Sequence, residues 1–310
     1  MIDFITANLP KSYSSRLEQN PLLDFSMLRN VSEDGFLIPA LDRMGKEVQN
    51  KNGETVYKVP YKSASYNGLC FTIFETGTII LTGSLHKYFN GGAHNFNDFD
   101  YVAFLLVLMD LEDKFGFKLE ECKLQCVEAG VNIVPPVPTN DILRHCFLHK
   151  TIPFKDIQHS QDGRYKQAKH SQYIVKIYNK ALHYTGKGFT IETEILRFEL
   201  KFMKMEKLNK LDIFTLADIR NLGFGVFKEM LVQAFEDILL FDQTINSSCT
   251  KLTDYRNPLF WTDLLETKSR KTFYKHKKTY TEIVINSSER LQQQLTEILI
   301  SKVNELAKGI

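Results

Sequence analysis

The distribution of hydrophobic and polar residues changes near residue 205. Upstream, short apolar runs and alternation are typical of β-strands, whereas downstream the apolar residues recur at helical spacing. Two apolar runs separated by a turn-forming gap, 69–74 and 78–85, predict a β-hairpin. Further strands are predicted at 123–133, 172–180 and 194–202, although the second of these could instead open a helix.

Helical signals occur on both sides of this boundary. A helix is predicted at residues 96–115. Its apolar run ends at Gly116, and Asn97 or Asp98 is the expected N-cap. A second helix is predicted at 139–149. Helical spacing after residue 205 predicts segments at 215–221, at 226–241 and from Ser287 or Ser288 onward. The last of these carries an apolar stripe, which we expect to dock on the protein's own core, at Leu291, Leu295, Ile298 and Leu306.

This pattern predicts an α+β fold. We expect a central antiparallel sheet with flanking helices over residues 1–205 and a mainly helical C-terminal region over residues 206–310. No internal repeat or low-complexity tract is evident. A chain of 310 residues is long enough to bury a core without disulfides or structural metal.

Composition places the chain in an ordinary globular class, with 43% hydrophobic and 25% charged residues. The net charge of +2 does not indicate nucleic-acid binding, so any DNA contact must come from local basic patches. Five cysteines without a CxxC pair argue against a zinc site or a disulfide framework and fit a reducing cytoplasm. With Asp3 near the start and no apolar run of about 20 residues, we expect a cytoplasmic protein without a membrane span.

Charged side chains and a tyrosine share one predicted sheet face. In the strand 194–202, alternation places Arg197 and Glu199 opposite the apolar positions. In the strand 172–180, the same rule groups the candidate catalytic residues Lys176, Tyr178 and Lys180. A solvated face of an antiparallel sheet is the alternative explanation.

Carboxylates on this face suggest a metal site. Glu128 lies opposite the apolar positions of its strand and could meet Glu199 and His86. Oxygen ligands suit Mg²⁺ or Mn²⁺, and imidazole is acceptable to Mn²⁺. A single histidine such as His86 is more often an ordinary surface or core residue.

Six sequence blocks, in order over about residues 1–215, resemble the gene-two replication proteins of filamentous coliphages. They are MIDFITANLP, NGLCFTIFE, the Ser-x-x-Lys and Gly-x-His-Asn pattern of GSLHKYFNGGAHN, CVEAGV, IYNKALHY and LRFELK. The IYNK and RFEL segments also resemble the initiators of small rolling-circle plasmids. The chain is therefore similar to rolling-circle replication initiators of phages and plasmids.

The resemblance implies a DNA nicking endonuclease and strand transferase in residues 1–205. Tyr178 matches the family's nucleophile, which forms a 5′-phosphotyrosyl intermediate, and Arg197 and Glu199 match as written. Glu128 falls on an acidic position, although Cys126 replaces the family's arginine. There is no histidine-apolar-histidine motif, so we expect carboxylates to be the main ligands of Mg²⁺ or Mn²⁺. The implied partners are single-stranded or supercoiled DNA at a replication origin, with a host helicase and polymerase.

A basic, aromatic segment, residues 265–280, is the predicted DNA contact of the C-terminal region, with Phe273 or Tyr274 stacking on a base. A solvated basic loop explains it equally well. The predicted DNA-binding residues are Lys87, Arg197, Lys268, Arg270, Lys271 and Lys275. Two other functions fit the sequence: a noncatalytic DNA-binding or copy-control protein, and a relaxase or transposase with the same tyrosine chemistry.

Overall fold

A computed structural model describes residues 1–26, 28–32, 34–157 and 165–308. The strands are β1 (Ile2–Leu9), β2 (Leu28–Arg29), β3 (Tyr61–Tyr66), β4 (Leu69–Phe74), β5 (Ile79–Ser84), β6 (Lys123–Ile133), β7 (Cys146–His149), β8 (Ile152–Pro153), β9 (Lys155–Asp156), β10 (Tyr165–Lys169), β11 (Tyr173–Asn179), β12 (Leu196–Phe202) and β13 (Ile238–Leu240). The helices are α1 (Ser14–Glu18), α2 (Leu85–Phe89), α3 (Tyr101–Phe115), α4 (Thr139–His145), α5 (Lys180–Thr185), α6 (Glu206–Asn209), α7 (Leu216–Leu222), α8 (Lys228–Glu236), α9 (Leu252–Arg256), α10 (Pro258–Thr267), α11 (Arg270–Ser287) and α12 (Leu291–Leu306).

Ten strands form one large sheet in the order β2-β3-β4-β5-β1-β6-β12-β11-β10-β9. Its neighbouring strands pair antiparallel. A small second sheet has the order β13-β7-β8. Helices flank the sheet and dominate after residue 205, so the predicted α+β class is confirmed.

The first strand lies at the centre of the large sheet, between β5 and β6. No strand was predicted here from the sequence. The register between β1 and β6 shifts between Ile2 and Phe4, which is a β-bulge. A bulge lets consecutive residues face the same side of a sheet, and here Asp3 and Phe4 both line one pocket.

The C-terminal helix completes the main core. Leu291, Leu295, Leu299 and Val303 of α12 are buried in the same cluster as the strands of the large sheet. Burying such a side chain contributes roughly 1.5–3 kcal/mol. The predicted docking of this stripe on the protein's own core is confirmed, with Leu299 replacing the partly buried Ile298 as a central contact.

Two predicted helices are too long. Helix α4 ends at His145 and the chain continues as β7, and α8 ends at Glu236 before β13. The two strands pair with each other, with Leu239 opposite Leu148. Short apolar runs do not distinguish strand from helix by periodicity alone, and here the distant partner strand decides between them.

Residues 31–56 contain a short repeat. The octapeptides VSEDGFLI, LDRMGKEV and QNKNGETV share a polar residue and, three positions later, a glycine. The side chains of Asp42 and Asn50 each accept two backbone N–H groups across their turns, while Gly45 and Gly53 supply positive φ angles of 80° and 79°. The expectation of no repeat is therefore wrong.

Two further expectations from composition concern the cysteines and the helices. All five cysteines are free thiols. Within the part of the chain that the structure describes, no helix has the length and apolar character needed to cross a bilayer.

Candidate active site

A cavity of about 480 Å³ opens on one face of the large sheet, and we call it the central pocket. Its lining includes Asp3, Glu128, Tyr165, Lys176, Tyr178 and Glu199. Lys176 in β11 lies opposite Glu199 in β12, and Tyr178 lies opposite Arg197. Residues that face each other across antiparallel strands project to the same side. The prediction that Glu128, Tyr178 and Glu199 share one face is therefore confirmed.

Tyr178 has two polar partners within the pocket. Its hydroxyl donates a hydrogen bond to Glu199 Oε1 at 3.1 Å and accepts one from Lys180 Nζ at 3.2 Å. Burial, together with the negative charge of Glu199, raises the pKa of Tyr178 well above its usual range. The resting side chain is therefore a neutral phenol, and its use as a nucleophile requires a base.

Lys180 supplies a candidate base. Strand β11 ends one residue before the prediction, because the side chain of Asn179 accepts the backbone N–H of Leu182 at 2.8 Å and caps α5. Lys180 is thus the first residue of α5 and is buried. Burial lowers the pKa of Lys180 to about 8, although the charge of Asp3 opposes this shift. Roughly a tenth of Lys180 is therefore neutral at pH 7, and about half at pH 8.

A buried chain of ion pairs holds Glu199 in place. Arg197 Nε donates to Glu199 Oε1 at 2.7 Å, and its terminal nitrogens donate to Asp3 Oδ2 and Asn132 Oδ1, each at 3.2 Å. Burial alone would raise the pKa values of Asp3 and Glu199, but the positive charge of Arg197 helps to lower both below their usual range. Arg197 is 3% exposed, so its predicted contact with DNA does not fit this position.

Glu128 is bound by two lysines. Lys201 contacts Glu128 Oε1 at 2.7 Å, and Lys176 contacts Glu128 Oε2 at 2.9 Å. Lys176 also lies 3.7 Å from Glu199 Oε2. Burial would lower the pKa of Lys176, but the charges of Glu199 and Glu128 raise it above its usual range. Lys176 therefore carries a permanent positive charge in the pocket.

His86 is engaged elsewhere. Its Nε2 lies 2.7 Å from Asn97 Oδ1, and its ring stacks on Phe99 with a centroid distance of 4.9 Å. Burial lowers the pKa of His86 to about 3, so the ring is neutral. The described contacts of His86 do not include Glu128 or Glu199.

The predicted ligands do not fit a metal ion as they are arranged. Both oxygens of Glu128 contact lysines, and Glu199 contacts Arg197 and Tyr178. Across residues 1–26, 28–32, 34–157 and 165–308, no three His, Cys, Asp or Glu side chains form a group that could hold a metal. The binding of Mg²⁺ or Mn²⁺ remains a prediction.

A positive rim borders the pocket. Lys87, one of the predicted DNA-binding residues, lines the pocket together with His183. Burial lowers the pKa of His183 to about 4, and the positive charges of Lys187, Lys180 and Lys87 contribute. This part of the lining therefore combines the positive charge of Lys87 with a neutral imidazole.

The basic C-terminal segment lies largely in helix α11. The alternative expectation of a solvated loop is therefore wrong for most of it. Ser269 caps α11 by accepting the backbone N–H of Thr272. Within this segment Lys271 and Lys275 are exposed four residues apart, which places them on one helix face. Phe273 is buried and cannot stack on a base, whereas Tyr274 is 55% exposed. The other predicted contacts of this segment are also exposed, at Lys268 and Arg270.

Sequence reasoning missed two polar residues of the site, Asp3 and Tyr165. Asp3 accepts hydrogen bonds from Ser84 Oγ and from Asn95 Nδ2, the latter at 2.6 Å. The apolar alternation around Asp3 was a signal for a strand, and a central strand would have brought Asp3 to the site. Tyr165, opposite Tyr178 in β10, was also missed, because its short segment YKQAK has no clear pattern.

No protein-family model matches the chain, and no curated protein matches it. Among solved structures, it is similar to the rolling circle replication initiator protein from Geobacillus stearothermophilus, with a TM-score of 0.38 and 11% sequence identity. The match covers 86% of this chain and 94% of that chain.

Proposed function

We propose that the protein nicks and rejoins one strand of DNA with Tyr178 as the nucleophile and thereby initiates rolling-circle replication of a phage or plasmid. The observation that carries this proposal is the position of the Tyr178 hydroxyl, 3.2 Å from Lys180 and 3.1 Å from Glu199 in an open pocket. A tyrosine that only filled space in the core would not need both Lys180 and Glu199 as partners of its hydroxyl. The sequence blocks around Tyr178 and Glu199 provide separate support.

The cleavage step needs one base and one nucleophile. In the proposed step the O–H of Tyr178 turns from Glu199 to the lone pair of neutral Lys180, which takes its proton. The phenolic oxygen then attacks the scissile phosphorus. A P–O bond to tyrosine forms, the bond to O3′ breaks, and the departing O3′ takes a proton from water. Lys180 suits this role because a general base works best with a pKa near the operating pH.

Fixed positive charge stabilises the extra negative charge on phosphorus. Lys176 supplies this charge at the pocket, because its pKa is raised and it stays protonated. Arg197 is buried and positions Glu199, whose carboxylate accepts a hydrogen bond from the Tyr178 hydroxyl. Lys87 at the rim would contact a neighbouring phosphate.

The phosphotyrosyl bond retains the energy of the broken phosphodiester, so rejoining needs no ATP. In the proposed cycle, Tyr178 holds the 5′ phosphate of the nicked origin strand and the free 3′ hydroxyl primes a host polymerase. A host helicase separates the strands. Attack by a 3′ hydroxyl on the phosphotyrosyl bond then closes the circle.

The test is a covalent adduct assay with single-stranded and supercoiled DNA of the genetic element that encodes the protein. Wild-type protein should nick the supercoiled form and remain attached to DNA in denaturing gels. Tyr178→Phe should lose both products, whereas Tyr173→Phe, buried on the opposite face of β11, should retain them. DNA binding without any adduct would contradict the proposal and favour a noncatalytic DNA-binding protein.

A further inference from the structure

Lysine side chains contact the carboxylate oxygens that a metal ion would need. Lys201 Nζ lies 2.7 Å from Glu128 Oε1, and Lys176 Nζ lies 2.9 Å from Glu128 Oε2. Lys176 Nζ is also 3.7 Å from Glu199 Oε2. The ammonium group of Lys176 is therefore close to both of the carboxylates that were the predicted metal ligands.

The register of the sheet fixes this arrangement. Lys176 in β11 lies directly opposite Glu199 in β12, and Lys201 in β12 lies opposite Glu128 in β6. Side chains paired in this way across antiparallel strands are neighbours on one face. The side chain of Lys176 is 14% exposed and that of Glu128 is 9% exposed. A metal ion could therefore bind both oxygens of Glu128 only by breaking ion pairs that are partly buried.

The charges of the pocket balance without a metal ion. Its ion pairs join three carboxylates to three basic side chains, namely Asp3, Glu128 and Glu199 with Arg197, Lys176 and Lys201. The formal charges of these six side chains sum to zero. A divalent cation would add two positive charges to a largely buried site, where an uncompensated charge is costly.

We propose that this pocket nicks DNA without a divalent metal, with the Lys176 ammonium supplying the positive charge that a metal ion would supply. This inference rests on the proposed function and departs from the expectation of Mg²⁺ or Mn²⁺ drawn from the sequence. As Tyr178 attacks phosphorus and the bond to O3′ breaks, Lys176 donates N–H to the non-bridging phosphate oxygens. Lys176 keeps its proton throughout, so no co-reactant is required.

Nicking in excess EDTA tests this inference. Wild-type protein dialysed against EDTA should form the covalent adduct at a single-turnover rate within about twofold of that with Mg²⁺ or Mn²⁺. Elemental analysis should find no stoichiometric divalent metal in the dialysed protein.

A reaction that depends on a metal would slow by at least about a hundredfold in EDTA. Such a loss, restored by Mg²⁺ or Mn²⁺, would overturn the inference and leave the proposed function intact. Stoichiometric metal in the dialysed protein would also overturn the inference alone. Absence of the adduct in every condition would overturn both.

Variants of Lys176 locate the charge. Lys176→Met should reduce the rate in EDTA by at least about a hundredfold, and Mn²⁺ should then raise it, because Glu128 and Glu199 become available as ligands. Lys176→Arg keeps a positive charge and should retain more activity in EDTA than Lys176→Met. The exposed Lys169→Met is the control and should match wild type. Circular dichroism checks the fold, and equal rates for folded Lys176→Met and Lys169→Met in EDTA would overturn the inference.

Discussion

Lys180 Nζ lies 3.2 Å from the hydroxyl of Tyr178, although the two residues belong to different elements. Tyr178 faces the pocket from β11, whereas Lys180 begins α5. The Asn179 cap between them ends the strand and turns the chain. A local capping interaction therefore places the proposed base beside the proposed nucleophile.

The nicking rate should rise with pH through a value of about 8. The pKa of Lys180 is lowered to about 8 by burial, so its basic form is scarce below this pH and dominant above it. Lys180→Arg keeps a positive charge that cannot be lost, and both the alkaline rise and most of the activity should disappear. Single-turnover rates between about pH 6 and pH 10 measure this. A flat wild-type profile would exclude Lys180 as the base.

Asp3→Asn should destabilise the fold, because Arg197 loses its charged partner in a buried position. Breaking a buried ion pair costs about 3–5 kcal/mol, which urea unfolding can measure. Asp24→Asn is a matched control, since Asp24 is exposed and caps a local turn. A loss no larger than in the control would show that the Arg197 pair does not stabilise the site.

The effect of Asp3 should also depend on pH. The pKa of Asp3 is lowered in the folded protein, in which burial is outweighed by the charges of Arg197 and Lys180. Its stabilising contribution is therefore complete above the unfolded pKa of about 3.9 and is lost as the pH falls below it. The difference in the free energy of unfolding between wild type and Asp3→Asn should accordingly become smaller below about pH 4.

Strand alternation identified much of the sheet. The strand predictions that became β6, β11 and β12 were correct in type, because each strand presents an apolar side to the core. The pairing of β7 with β13 was not predictable from local pattern, since each is a short apolar run stabilised by a distant partner.

The site was predictable only in part for a similar reason. The alternation of side chains along each strand correctly placed Tyr178, Lys176 and Glu199 on one face of the sheet. It could not indicate that lysines occupy both oxygens of Glu128 or that a bulge directs Asp3 to Arg197. Such partners are fixed by strand order and register, which depend on the whole chain.

Lys176→Met should increase the affinity for Mn²⁺ by roughly tenfold or more, equivalent to about 1.4 kcal/mol. Lys176 contacts Glu128 and also lies near Glu199, so its removal leaves two carboxylates with less positive charge nearby. Calorimetric titration measures the affinity, and circular dichroism checks the fold. The exposed Lys169→Met is the control. Equal affinities in wild type and Lys176→Met would contradict competition between Lys176 and a cation.

The exposed face of α11 should contribute salt-sensitive DNA affinity. Combined Lys271→Ala and Lys275→Ala should weaken binding and reduce the slope of log affinity against log salt by about 2, or about 1 for each phosphate that is no longer neutralised. Fluorescence anisotropy at several salt concentrations measures the slope. Lys118→Ala with Lys210→Ala, which removes two exposed lysines elsewhere, is the control. Equal slopes for the two double variants would remove α11 from the DNA-binding surface.

Peptide mapping of the covalent protein–DNA adduct tests the assignment of the nucleophile most directly. After digestion of protein and DNA, mass spectrometry should find a nucleotide on the phenolic oxygen of Tyr178. Tyr178→Phe should give no such adduct while its DNA affinity stays near that of wild type, because only one hydroxyl is removed. A nucleotide on Tyr165, Tyr173, Tyr184 or a serine would contradict the assignment, even if the protein nicks DNA.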